Sequence, residues 1–485
     1  MCHNLTVQKD RILSFVCCFF ILTVFAINFF YNAHRPLRDF DESAWIYSAY
    51  YYDLAFVQKN WESPDWQALD AIDHPPLFKY ALGGVLALVG IHFTTPDLKE
   101  WWHANDENIS HFVDFHWANV EKTPLQSLVA GRFLNALSFA LATLLFFFIV
   151  KNIFSFRVAC FFAILFSFSP HVLLTSVWVI SDGLFLFFLS LSLLLNLYQI
   201  SCLEKKKHEI LASSLLGVVL ALLFLTKING LLAYCVSGLS LAVFCIRSGR
   251  AEIKMALASF FAMSFFFALF TYGLNPSLWG DPFHFILRMF GHRWERVDLQ
   301  MSLFRLDALP NPLMGFAAFL RQMFWANDRV YAFIKIPFIF ILFCVGCFTL
   351  PLWLKQKGNK VLVFLLHAFF WSAATAYTYK LNWIRYVLVV IPFISILSAL
   401  GLEELFCRCR HVAPSTRQKV SLLVCLLVLY SLMFVMQKRF ILSWYLQTNP
   451  QWYVHAEKKQ LETLLIYEPD NETYKKRLNE LEQQP

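Results

Sequence analysis

Eleven stretches of this chain are long and apolar enough to cross a bilayer, and they decide what the rest can be. They fall at roughly 12–30, 128–150, 158–175, 177–200, 210–226, 230–246, 255–272, 336–354, 361–378, 386–406 and 420–437. A span needs about 20 apolar residues, and inside hydrocarbon the backbone must satisfy its own hydrogen bonds, so each stretch reads as a helix. Composition agrees: of 485 residues 58% are hydrophobic, only 15% are charged and 53 are Phe. A soluble domain carries about 25% charged residues. With a mean hydropathy of +0.53, a soluble enzyme, a disordered chain and a coiled coil are excluded. The expectation is an all-α polytopic membrane protein.

Charge sets the topology. A further apolar stretch at 77–93 follows Pro75-Pro76 and is marginal in length. If it does not span and the N-terminus is inside, seventeen Lys and Arg in short connections, from Lys9 to Lys419, share the cytosolic face. The short opposite loops hold only Lys227, Lys380 and Arg385. Short-loop Lys/Arg bias orients membrane proteins. The expectation is therefore about 11 transmembrane helices, N-in and C-out, with 77–93 lying in the outer interface. The net charge of +8 is explained by topology and implies no nucleic-acid partner.

None of the twelve cysteines lies in the proposed external segments 31–127, 273–335, 379–385 or 438–485. Thiols avoided on one face point to an oxidising compartment there, a periplasm or lumen. Cys344-Val345-Gly346-Cys347 has CxxC spacing but sits inside an apolar run, where helix core is the plainer reading. The first run is too long for a cleavable signal and lacks a small-residue cleavage site. The organisation expected is a transmembrane domain over 1–437 with external loops at 31–127 and 273–335, then an external helical tail at 438–485. The tail shows two short amphipathic patterns, at 456–467 and 472–481.

Chemistry concentrates in the first loop. Asp39-Phe40-Asp41-Glu42 comes about ten residues after the first span, and Asp73-His74-Pro75-Pro76-Leu77-Phe78-Lys79 enters the interfacial stretch. The double proline fixes an extended entry. Acids here stand near the headgroup plane, where a lipid-linked phosphate also sits.

These residues resemble the GT-C glycosyltransferases, in the branch of protein O-mannosyltransferases and lipid A aminoarabinose transferases. The mannosyltransferases share an acidic pair in the first external loop and a His-Pro-Pro-Leu-Gly-Lys segment. Asp41-Glu42 and His74-Pro75-Pro76-Leu77-Phe78-Lys79 stand in those places, with Phe78 for Gly. The aminoarabinose transferases carry Glu-Lys-Pro-Pro-Leu, against Asp73-His74 here, and an Arg shortly after the acidic pair, where this chain has Ala44-Trp45. Ala130-Gly131-Arg132-Phe133, Ser169-Pro170, Ser181-Asp182-Gly183, Leu225-Thr226-Lys227, Asn275-Pro276, Asp281-Pro282 and Arg385-Tyr386 follow in the branch's order, so the resemblance covers roughly residues 10–405.

The resemblance implies a GT-C fold and inverting transfer of a sugar from a polyprenyl-phosphate donor to a hydroxyl on the external face. The acceptor is a protein or a glycolipid, and membrane lipids surround the site. Asp41 is then the general base, since a carboxylate can take the hydroxyl proton, with Glu42 beside it orienting or steering. Cations stabilise the departing phosphate. Arg385 is the first candidate, followed by Lys79, Arg132 and Lys227, with Asp73, His74 and Tyr386 completing the substrate-binding set. Basic residues at span ends also snorkel to headgroups, which is the plain alternative for each.

No cofactor is required by this reading, although Asp39-Phe40-Asp41 has DxD spacing and Asp73 with His74 offers the best pair for a divalent metal. His103, Asp106, His111, Asp114 and His116 lack a tight zinc spacing. Arg288, His292 and Arg296 share one face of a helix, as an interfacial helix or as a phosphate- or acceptor-binding face. Asp182 is functional or a helix cap. A transporter or flippase is the rival class, but the acids cluster in loops and no two-fold repeat is visible. A non-catalytic scaffold is the third class. Compact length favours a bacterial inner membrane with a periplasmic site; the ER membrane is the eukaryotic counterpart. Sugar and acceptor stay open.

Overall fold

The computed structural model describes residues 2–34, 40–68, 71, 74–93, 123–249, 252–303, 308–309, 311–325, 338–381 and 384–412, with positions 458, 472, 475, 476, 478 and 479 of the tail. Among the described residues the chain is helical, and an isolated bridge between Ala308 and Leu381 replaces any strand. The helices are α1 (Cys2–Asn32), α2 (Phe40–Ser48), α3 (Leu77–Leu88), α4 (Leu125–Ile153), α5 (Phe156–Ser167), α6 (Pro170–Thr175), α7 (Asp182–Lys205) and α8 (Glu209–Thr226). They continue with α9 (Gly230–Ser248), α10 (Ile253–Gly273), α11 (Pro282–Leu303), α12 (Pro312–Trp325), α13 (Phe338–Lys357), α14 (Asn359–Thr378) and α15 (Ile391–Val412).

Eight of these are long and apolar enough to cross a membrane: α1, α4, α7, α8, α9, α10, α13 and α14. The protein is an integral membrane protein with several spans. α3 has only 12 residues, about 18 Å at 1.5 Å per residue, and is too short to cross. The run at 158–175 departs from expectation. It forms two short helices, α5 and α6, because Ser169-Pro170 breaks the ladder and Pro170 opens a new first turn. The run expected at 177–200 likewise begins as helix only at Asp182, leaving 176–181 irregular. α15 covers most of the expected 386–406 run. The run at 420–437 lies outside the described residues.

Basic helix ends gather at one end of the bundle. There Asn359 donates to Glu204 (2.9 Å), Lys360 to Asn152 (3.4 Å), and Lys206 pairs with Glu252 (2.8 Å). The opposite end carries the C-terminus of α1, the N-termini of α4 and α7, and the C-termini of α8, α10 and α14. Those candidate site residues that are described lie there.

Lipid is as apolar as Leu, so tight packing between spans rather than burial holds them together. Phe146, Phe162, Phe166 and Phe393 interlock α4, α5 and α15 with ring centroids 5.4–6.4 Å apart. α13 and α15 approach so closely that a Cβ on Gly346 or Gly401 would collide with the backbone of Leu397 or Leu342. The CxxC spacing around Gly346 belongs to this helix contact, and Cys344 and Cys347 are free thiols.

The described part of the first loop folds as a cap. Tyr50 Oη donates to Asp65 Oδ2 (2.7 Å), Tyr51 Oη to the Asp65 carbonyl (3.1 Å), and Trp66 Nε1 to the Asn60 carbonyl (3.0 Å). Burial, reinforced by Asp65, raises the Tyr50 phenol above the ordinary tyrosine range. Buried Asp53 bonds the His92 ring (2.8 Å) and accepts from Phe93 N–H (2.7 Å), tying the exit of α3 back to the cap. The cap also clasps the second loop. Gln67 donates to the Ser277 carbonyl (3.1 Å), and the Trp61 ring lies 5.7 Å from that of Trp279.

Candidate active site

The acidic motif opens α2. Asp41 lies in the first turn of that helix, and its side chain is outside the described residues, as are Asp39 and Asp73. Glu42, one residue on, points into the protein and is fully buried. Its carboxylate accepts from Arg132 Nε (3.0 Å), Arg132 Nη2 (2.8 Å) and the backbone N–H of Val179 (3.0 Å). Arg132, also fully buried, gives Nη1 to the carbonyls of Asn32 (3.3 Å) and Ala33 (3.0 Å). One ion pair thus ties the end of α1, α2, α4 and the irregular segment before α7.

This alters two expectations. Glu42 was expected beside Asp41 in the open site, yet successive residues of a helix point about 100° apart, and Glu42 faces inward. Arg132 was expected on the donor phosphate, yet its planar fork is spent on Glu42 and two carbonyls in a closed pocket.

The irregular segment 176–181 needs such partners, because unpaired backbone groups at membrane depth are costly. Asn135 on α4 supplies more. Its amide donates to the carbonyls of Thr175 (2.7 Å) and Trp178 (2.8 Å), and its oxygen accepts from Gly183 N–H (3.0 Å). A Cβ at Gly183 would strike Asn135, so this approach requires glycine there. Asn28 on α1 adds bonds to the Leu173 carbonyl (2.8 Å) and Ser176 Oγ (3.0 Å). The only sequence signal for Asn28 and Asn135 was amides within apolar runs.

Beyond this segment stands a charged cluster. Asp182, in the first turn of α7, pairs with Lys227 at the end of α8 (2.7 Å). The first turn of a helix favours a carboxylate through the dipole, but Ser181 holds the cap position, so Asp182 is not the helix cap. The Lys227 and Asp182 side chains are 27% and 13% exposed, open enough to meet a ligand. Burial holds the Lys227 ammonium below the ordinary lysine range. Asp182 opposes that shift, and the positive charges of Arg385 and Arg293 reinforce it. Arg385 sits on the 3-10 turn Ile384–Val387, its guanidinium 5.6 Å from the Tyr386 ring centroid.

Lys227 therefore pairs directly with Asp182 and lies within the electrostatic reach of Arg385 and Arg293. Of the expected set, Lys227, Arg385 and Tyr386 come together. Arg293 joins them from α11, and sequence reasoning missed it because attention went to the neighbouring Arg288, His292 and Arg296.

The remaining candidates take other places. Lys79 is fully buried, its Nζ 4.4 Å from the Tyr51 ring centroid, a cation–π geometry. His74 is half-buried, with its ring 4.6 Å from that of Trp45, which also meets Phe78 edge-on at 4.9 Å. Among the described residues no three His, Cys, Asp or Glu side chains group as metal ligands. His103, Asp106, His111, Asp114 and His116 lie outside the described residues.

Comparison with known proteins adds the following. The sequence profile of the dolichyl-phosphate-mannose-protein mannosyltransferases matches residues 69–274. No curated protein sequence matches significantly. Among solved structures, the apo oligosaccharyltransferase of Archaeoglobus fulgidus aligns at TM-score 0.54 and 12% identity, covering 91% of this chain and 59% of that one. The Archaeoglobus fulgidus oligosaccharyltransferase AglB, in complex with an inhibitory peptide and a dolichol-phosphate, aligns at 0.50 and 13%, covering 96% and 60%. ArnT from Cupriavidus metallidurans, bound to undecaprenyl phosphate, aligns at 0.47 and 14%, covering 82% and 60%. The chain spans about 60% of the length of the solved structures it matches.

Proposed function

We propose that this chain is a GT-C glycosyltransferase that transfers a sugar from a polyprenyl-phosphate donor to a hydroxyl acceptor, with inversion, at the external face of the membrane. The observation that carries the reading is the Asp182–Lys227 pair, within electrostatic reach of Arg293 and Arg385, at the bundle end that also holds α2. The family profile names a dolichyl-phosphate-mannose donor, and the dolichol-phosphate in the AglB complex belongs to the same lipid class. A mannosyl group and a protein hydroxyl are the donor sugar and acceptor we favour.

The chemistry divides between the two motifs. Asp41, on the first turn of α2, takes the proton of the attacking hydroxyl as general base. As the bond from the sugar to the lipid phosphate breaks, charge accumulates on the phosphate oxygens. Arg385, Arg293 and Lys227 stabilise that charge more in the transition state than in the ground state, which is what accelerates the step. Asp182 keeps Lys227 charged and directed, at the cost of part of its field. Glu42 and Arg132 hold α2 rather than touching substrate, so they are positioning residues. The transmembrane domain at 1–437, the N-in, C-out orientation, about 11 spans and the external tail at 438–485 belong to the same proposal.

The test is Asp41→Asn, which keeps size but cannot accept the proton. Loss of a general base costs about 10²–10⁴-fold in rate, so transfer should nearly vanish while the donor still binds. Asp73→Asn is measured in parallel. Full transfer in Asp41→Asn with none in Asp73→Asn moves the base to the segment before Pro75.

A further inference from the structure

α11 has three faces, and a helix bounded only by protein and water has two. Phe285 and Met289 are buried against Phe224 and Leu278, and His292, Arg293 and Arg296 lie half-buried on that side. His284, Arg288, Glu295 and Asp298 form an exposed polar face. Between them runs a third stripe, Phe283, Leu287, Phe290 and Trp294, exposed by 73%, 55%, 37% and 56%. Spacings of four, three and four keep these side chains on one face. The stripe is about 16 Å long at 1.5 Å per residue.

We propose that α11 lies flat in the bilayer surface at the site end, with this stripe among the acyl chains of that leaflet. Continuity selects lipid as the occupant. The exposed face of the span α10, formed by Phe261, Phe265, Leu269 and Tyr272, meets lipid tails, and half-exposed Trp279 leads from it to Phe283. Protein, lipid and water then each meet one face, which is the geometry of an amphipathic interfacial helix. Trp294 ends the stripe, and Trp is a residue type favoured at the headgroup level. Because Arg293 is carried on the same helix and acts electrostatically on Lys227, the depth of α11 in the leaflet sets the height of that cation relative to the Asp182–Lys227 pair. The proposal stands apart from the catalytic reading and fails or holds independently of it.

The test places the photo-cross-linker benzoylphenylalanine at 287 and 294, at 284 and 291 off the stripe, and at 261 on α10 as a lipid-facing control. The full chain is irradiated in phosphatidylethanolamine–phosphatidylglycerol vesicles and phospholipid adducts are read by mass spectrometry. Adducts at 287 and 294 should be comparable with 261 and several-fold stronger than at 284 and 291. Labelling at 261 with none at 287 and 294, or equal labelling around α11, overturns the proposal. So does cross-linking of 287 to a second copy of the chain. Fluorescence of the wild type minus Trp294→Phe, in vesicles with dibrominated acyl chains, gives a second reading. The difference signal should be quenched, and an unquenched one also overturns the proposal.

Discussion

Replacing Glu42 by Gln should damage the fold before it damages the chemistry. The carboxylate accepts three hydrogen bonds, two of them from a guanidinium with no solvent exposure. Gln keeps one acceptor oxygen and turns an NH2 group toward a donor of Arg132, removing the charge that Glu42 supplies to a buried cation. Hydrogen bonds to charged groups contribute about 1.5–3 kcal/mol each, and breaking a buried pair by removing one partner costs about 3–5 kcal/mol. The expected loss for Glu42→Gln is therefore about 3–5 kcal/mol, a large part of a marginal stability. Arg132→Met should cost a similar amount by stranding the carboxylate. The double variant should recover only part, because the Val179 N–H and the Asn32 and Ala33 carbonyls still lack partners. Reversible unfolding in bicelles, read for both singles and the double, supplies the cycle. Wild-type stability in Glu42→Gln together with abolished transfer would refute the reasoning and return Glu42 to the substrate.

Arg385→Ala should weaken donor binding or turnover strongly, with Arg385→Lys retaining part, since Lys keeps the charge without the planar fork; unchanged turnover and donor affinity would make Arg385 a headgroup anchor. Lys227 titrates below an ordinary lysine, so donor binding should fall at the alkaline end as it loses its proton. Arg293→Gln removes a depressing charge and should move that limb to higher pH, whereas Asp182→Asn should move it lower; a limb fixed in both variants excludes Lys227 as the titrating group. Cysteines introduced at Ser110 and Gln484 should react with an impermeant maleimide in intact cells or spheroplasts, and reaction only after breaching the membrane reverses the orientation.

Hydropathy is a local property, and the spans that depend on it were legible to within a few residues. Where the chain departs from hydropathy at 176–181, a non-local cause is at work. Residues 176–181 are apolar enough to be helical, yet an amide from α4 and a carboxylate from α2 offer the backbone alternative partners. Ser169-Pro170 was visible as a motif, but its effect as a break between α5 and α6 was not drawn. The motifs at Lys227 and Arg385 could be picked out because short signatures mark them, and the Asp41 side chain lies outside the described residues. Whether Arg132 meets phosphate or Glu42 depends on a partner 90 positions away. Arg293 was hidden for the same reason, since the Lys227 it acts on ends another helix.

The clasp between the first and second loops bears on how the protein is made. Gln67 and Ser277 are 210 positions apart, and translation proceeds at about 5–20 residues per second. Roughly 10–40 s therefore pass between synthesis of the two partners at that rate. During that interval the nascent cap has its internal bonds but not the Trp61–Trp279 ring contact. A cell must shelter those aromatic surfaces until α10 is inserted and Trp279 follows it. Translational slowing downstream of residue 67, or an insertion-site chaperone, should therefore affect the yield of this protein more than changes near its C-terminal tail.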